Sequence, residues 1–235
     1  MIVLVVFAAL SHGLWVASPG TRLPAVVLVT GDSIAEALDQ DLAQRLIARG
    51  TSVYSDTNQA SAISAQANNP MNLIGIDWVT HAAHQAKLYP RNTTVVMFIG
   101  VNEGYSIDGV ACCTGTWAKL YTARVSSVIR SYRAVDDRVY WLTLPAFASP
   151  AFRVRAEIVN AAVKSAAKSF GNTVRILDVG PDLTPGFVYT DSKTVDGRST
   201  RIWDHDMIHL NVVGSNLVAD DVLKALGTPA LDVVK

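Results

Sequence analysis

Residues 25–33 read AVVLVTGDS, an apolar and largely β-branched run that passes without a break into Gly31, Asp32 and Ser33. A strand that meets water on one face alternates apolar and polar side chains, so an unbroken apolar run describes a strand buried on both faces. The period then changes. Ile34, Ala35, Leu38, Leu42, Ala43, Leu46 and Ile47 recur at helical spacing until Arg49 and Gly50 end the pattern. The stretch reads as strand, turn, helix, the unit from which parallel sheets are built.

The same alternation continues outward. Residues 52–55, 94–99, 139–144 and 174–177 predict four more strands, and helical patterns cover 78–89, 116–132 and 152–170. Pro90 and Pro145 stop a helix and a strand, and Asn211 is placed to cap a final helix over 211–226. The expectation is a five-stranded parallel sheet with helices on both faces. Residues 180–202 lack a strong period and predict a long loop at the active edge.

Composition narrows the function. Of 235 residues, 50% are hydrophobic and 17% charged, which excludes a disordered chain and predicts a single domain over 25–235. With 20 Lys and Arg against 20 Asp and Glu there is no electropositive field for nucleic acid. Cys112 and Cys113 are adjacent and lack the neighbours of a zinc site, so no metal or cofactor is expected. Two partly buried thiols are the expected state of that pair, with a vicinal disulfide or a bond to another chain as alternatives. Residues 1–21 contain no charged side chain and 2–10 are continuously apolar, so 1–24 reads as a leader or membrane-anchor-like segment. That predicts an extracytoplasmic protein, secreted or anchored through this segment; a buried helix of a cytoplasmic protein is the alternative.

In an open parallel sheet, loops at the carboxyl ends of the strands point at one crevice. Those ends hold Ser33, Asn102 and, after the fifth strand, Asp206 and His209. A serine hydroxyl attacks a carbonyl only when a base takes its proton, and an imidazole held by a carboxylate is the usual base. His209 and Asp206 suit those two roles, with the Ser33 amide and the Asn102 side chain as donors to the oxyanion. Each residue also has a bland explanation. Ser33 and Glu36 form a capping box, Asn102 suits a turn, and His12, His81, His84, Asp204 and His205 need no function.

Gly31-Asp32-Ser33-Ile34, Gly100-Val101-Asn102-Glu103 and Asp206-Met207-Ile208-His209, in that order, resemble the blocks of the SGNH hydrolase superfamily, the GDSL-type esterases. The resemblance spans residues 25–226. It implies a flavodoxin-like three-layer sandwich of strand order 2-1-3-4-5, with Ser33 as nucleophile, His209 as base and then acid, Asp206 as orienting carboxylate and Asn102 as oxyanion donor. Two departures stand out. Glu103 replaces the usual aspartate after the asparagine, and the loop at 56–62 lacks the family's glycine, which leaves the amide of Ser61 or Ala60 as the implied donor. Tyr105 and Trp203 are expected to line the substrate site, and Trp117 to pack in the core.

The resemblance implies a serine-dependent hydrolase of short acyl esters, acetyl groups on carbohydrate above all, acting through an acyl-enzyme. The alternatives are an O-acyltransferase acting on envelope glycan and a non-catalytic domain of this fold that binds glycan or protein. A flavodoxin-like nucleotide or flavin binder is disfavoured, because no glycine-rich phosphate cradle follows the first strand.

Overall fold

The computed structural model describes residues 23–227. The apolar run at 2–10, and with it most of the expected leader, lies outside them; Leu23 already packs against the core.

Strand β1 (Val26–Gly31) leads into helix α1 (Ser33–Ile47), followed by β2 (Ser52–Thr57), α2 (Trp78–Leu88), β3 (Thr94–Phe98), α3 (Gly115–Arg133), β4 (Arg138–Leu142), α4 (Pro150–Ala167) and β5 (Val174–Leu177). The five strands pair in parallel in the order β2-β1-β3-β4-β5. Helix α5 (Gly180–Leu183), strands β6 (Ser192–Val195) and β7 (Arg198–Arg201), and helix α6 (Val212–Gly227) complete the chain. Helices α1 and α6 pack together against one face of the sheet, while α2, α3 and α4 pack side by side on the other.

The unbroken apolar runs are explained by this covering. Every residue of β3 is buried, as are Val27, Leu28 and Val29 of β1, each such side chain contributing about 1.5–3 kcal/mol by leaving water. The helix starts are fixed by capping side chains. Asp77 accepts from the Val79 amide, Thr114 from the Trp117 amide, and Asn211 from the amides of Val213 and Gly214. Expected and observed elements differ by one to three residues at most ends, the usual fraying.

Two regions depart further. The helix expected to reach Phe170 stops at Ala167 and tightens into a 3-10 turn over Lys168–Thr173, where Gly171 has φ 55°. Residues 180–202, expected as a loop, hold α5 and the antiparallel hairpin β6–β7. Asp196 and Gly197, both at positive φ, make the two-residue turn that matches the twist of paired strands.

The turn after β1 admits only glycine. Gly31 has φ +148°, and a Cβ there would overlap the Phe98 carbonyl oxygen of the adjacent strand. This close passage delivers Asp32 and Ser33 to the carboxyl edge of the sheet, one strand from Asn102.

Candidate active site

Ser33 is the first residue of α1, but it does not cap the helix. Asp32 does: its Oδ1 accepts the Ile34 amide at 3.1 Å. The capping-box explanation of Ser33 is thereby corrected, and the reason is geometric. Asp32 is buried, and its Oδ2 also accepts the amides of Gly100 at 2.9 Å and Val101 at 3.2 Å. Burial pushes this carboxyl up to about 7 against the opposing pull of those three amides, with nearby Glu103 adding to the rise.

Freed from capping, the Ser33 hydroxyl lies 2.8 Å from His209 Nε2. The other ring nitrogen, Nδ1, lies 2.5 Å from Asp206 Oδ2. The turn between Asp206 and His209 is built for this contact. Asp206 Oδ1 accepts the amides of Ile208 and His209, Met207 adopts φ +58°, and Trp203 and Leu210 close the loop as an antiparallel bridge. Partial burial pushes the Asp206 carboxyl up, but the His209 ring and the two amides outweigh it and hold it at about 2. It is thus a carboxylate wherever the imidazole works.

The Ser33 amide stands at the helix start, where no carbonyl one turn back can accept it. Asn102 sits across an open depression of about 520 Å³, lined also by Glu36, Ala37, Gln59, Ala60, Asp204, His209 and Leu210. Its Nδ2 lies 3.3 Å from the Ser61 carbonyl oxygen. The second hydrogen of this amide is held only weakly, by Asp32 Oδ2 at 3.5 Å, the outer limit of a hydrogen bond, and is the one a stronger acceptor could take.

Three expectations change. Ser61 is buried, and both its amide and its hydroxyl donate to the Asn58 carbonyl, so it has no donor for an oxyanion. Ala60 is the better fit: it lines the depression at φ +56°, the left-handed backbone that glycine usually supplies, and its amide has no partner among the described residues. Trp203 does not line the site. It is buried, donates to the Thr190 carbonyl at 2.8 Å, and packs against Phe147 and Tyr189. Tyr105 is not among the lining residues either; its carbonyl accepts the indole N–H of Trp117, which lies in the core stacked on Tyr121 as expected. The lining residues missed, Glu36, Ala37, Gln59, Asp204 and Leu210, lie close to the motif positions in sequence, and adjacency is the only signal that points to them.

Cys112 and Cys113 are joined as a vicinal disulfide rather than standing as two thiols. Among the described residues no group of His, Cys, Asp or Glu is arranged to hold a metal ion.

A parallel 2-1-3-4-5 sheet with a serine, an asparagine and an aspartate-histidine turn at its carboxyl edge is the fold of the SGNH, or GDSL-type, hydrolases. Solved structures share it. An acetylxylan esterase from Geobacillus stearothermophilus superposes with a TM-score of 0.60 at 13% identity, covering 91% of this chain and 99% of that one. An α/β hydrolase from the metagenome of Lake Arreo gives 0.60 at 19%, covering 88% and 96%. A GDSL-like lipase from Bacteroides thetaiotaomicron gives 0.56 at 14%, covering 86% and 88%. No curated protein matches the sequence. The chain belongs to the family DUF459, described as a protein of unknown function, whose model matches residues 26–225.

Proposed function

We propose that this protein is a serine-dependent acyl-ester hydrolase. The observation that carries the reading is the continuous contact from Asp206 through the His209 ring to the Ser33 hydroxyl, 2.5 Å and 2.8 Å long. In this mechanism His209 Nε2 takes the hydroxyl proton as Ser33 Oγ bonds to the ester carbonyl carbon. The carbonyl electron pair moves onto oxygen, where the amides of Ser33 and Ala60 and the Asn102 Nδ2 receive it. Collapse of this intermediate breaks the ester bond, and the leaving alcohol takes the proton back from His209. Water then attacks the acyl-serine, giving its proton to His209, and the acid departs as Ser33 regains its hydrogen.

A short acyl group on carbohydrate is the substrate class we favour. The depression is open and shallow, without the long apolar groove a fatty chain would fill, and one protein sharing the fold is an acetylxylan esterase. A sugar hydroxyl in place of water would make the same acyl-enzyme an O-acyltransferase, and the half-exposed His209 and Asp206 side chains leave room for either acceptor. A non-catalytic binding domain would have His209 turned away from Ser33, opposite to the contact described. The apolar run at 2–10 favours a site of action outside the cytoplasm.

The test is labelling with a fluorophosphonate together with hydrolysis of p-nitrophenyl acetate, wild type against Ser33→Ala. Loss of both signals is expected. Labelling that persists in the variant rules the assignment out, and product analysis with an added sugar acceptor separates hydrolase from transferase.

A further inference from the structure

Glu103 follows Asn102 in the loop after β3, and it is not among the residues lining the depression. Its carboxylate is fully buried and accepts the Ile63 amide at 2.8 Å, the Ser64 amide at 2.9 Å and the Tyr121 hydroxyl at 3.0 Å. Burial pushes its pKa up, opposed by the Ser64 hydroxyl and these same donors. Its sequence neighbour Asn102 makes the parallel contact, Nδ2 to the Ser61 carbonyl. Consecutive residues of the β3 loop thus grip the 61–64 segment twice. Helix α3 holds the same segment from behind, since Arg124 Nε donates to the Ile63 carbonyl at 2.6 Å and its Nη2 reaches Asp77.

We propose that Glu103 is a positioning residue for the oxyanion donors, resting on the serine-hydrolase reading above. It clamps the loop bearing Asn102 to the turn bearing Ala60, so that both donors are fixed before charge develops on the substrate oxygen. A preorganised donor costs no reorganisation during the reaction, and a displacement of a few tenths of an ångström weakens a hydrogen bond that must be short and straight. The side-chain length matters. A glutamate reaches amides one methylene farther from the β3 loop than aspartate does, so the shorter residue leaves Ile63 and Ser64 unpaired.

The test is a double-mutant cycle on p-nitrophenyl acetate hydrolysis, combining Glu103→Gln and Glu103→Asp with Asn102→Ala, and reading kcat and KM separately. Asn102→Ala should lower kcat by about 10²-fold, as removal of one oxyanion donor does. Glu103→Gln should lower kcat by roughly tenfold with KM within about twofold, because the loss falls on the transition state. In the Asn102→Ala background the same change should cost clearly less than about tenfold, since only the Ala60 donor is left for it to position. Glu103→Asp should not restore the rate. If the Glu103 variants fail to fold, Tyr121→Phe, which removes one bond to the same carboxylate, takes their place in the cycle with a smaller effect that should likewise shrink in the Asn102→Ala background. Costs that multiply independently, or that fall on KM, overturn the proposal. So does a normal rate in Asn102→Ala while Ser33→Ala is inactive, an outcome that leaves the hydrolase reading standing. Activity in Ser33→Ala instead removes that reading itself.

Discussion

Asp32 accepts the Ile34 amide at 3.1 Å to cap helix α1, and the adjacent Ser33 hydroxyl is left 2.8 Å from His209 Nε2. Structure and chemistry are thereby divided between neighbouring residues. Ser33→Ala should shift the urea midpoint by no more than about 0.5 kcal/mol of stability, since no cap is lost, while abolishing ester hydrolysis. A Ser33→Ala protein that is strongly destabilised would return the serine to a structural role.

The same division sets a pH signature. The folded-state pKa of Asp32 is about 7, against an ordinary value of 3.8, so the folded protein keeps a proton that the unfolded chain releases between those values. That contribution to stability is complete below the lower value, shrinks as pH rises through the window, and is lost above the higher one. Asp32→Asn is neutral at every pH and should flatten the profile between about pH 4 and 7, by up to about 1.4 kcal/mol per pH unit. Urea midpoints for both proteins at several pH values measure this; parallel profiles would show that Asp32 does not titrate in the window.

Much of this arrangement was legible in the chain, for a physical reason. Strands covered on both faces must be apolar throughout, so β1, β3 and β4 announced a parallel sheet, and a parallel sheet gathers its strand-end loops at one edge. Ser33 and His209 are 176 positions apart, yet both fall at that edge. What could not be read depended on partners from distant segments. Asp32 and Ser33 are both good caps, and only the amides of Gly100 and Val101 select the aspartate. Trp203 is buried by Phe147 and Tyr189, neither of which its local sequence reveals. Ser61 and Ala60 differ in which amide the Asn58 carbonyl takes. The hairpin β6–β7 had its Asp196-Gly197 turn in view, but its strands SKTV and RSTR are polar and without the apolar alternation that marks a strand.

Asp206 has two duties, and its substitutions separate them. Asp206→Asn retains an oxygen for the Ile208 and His209 amides but presents an NH2 group to His209 Nδ1, which favours the wrong tautomer. The loop should keep its shape while kcat falls by at least about 10²-fold. Asp206→Ala loses the amide contacts as well, so its His209 resonances should show greater mobility by NMR. Equal effects of the two variants on loop mobility would argue that the amide contacts are incidental.

Gly31 marks the closest passage in the sheet edge. Alanine there would set its Cβ against the Phe98 carbonyl oxygen, and with the Phe98 backbone and the Ala35 Cβ as neighbours no flexible group is left to yield. Gly31→Ala should cost at least about 3 kcal/mol and frequently abolish folding, as severe overpacking does. Thermal unfolding or soluble yield reports it; a stable, active variant would mean that β1 and β3 separate more readily than their register implies.

Ala60 offers the sharpest test of the oxyanion assignment, because its role rests on a backbone N–H that side-chain truncation cannot remove. At φ +56° alanine holds a conformation that glycine adopts more cheaply, so Ala60→Gly should keep full activity and leave stability unchanged or raised by up to about 1 kcal/mol. Ala60→Pro removes the N–H and forces φ to about −65°. It should lower kcat by about 10²-fold or more, and it should also cost stability, since the native φ of +56° is closed to proline, so the comparison is made on protein shown to be folded. If Ala60→Pro hydrolyses esters at the wild-type rate, the oxyanion is held by Ser33 and Asn102 without a third donor.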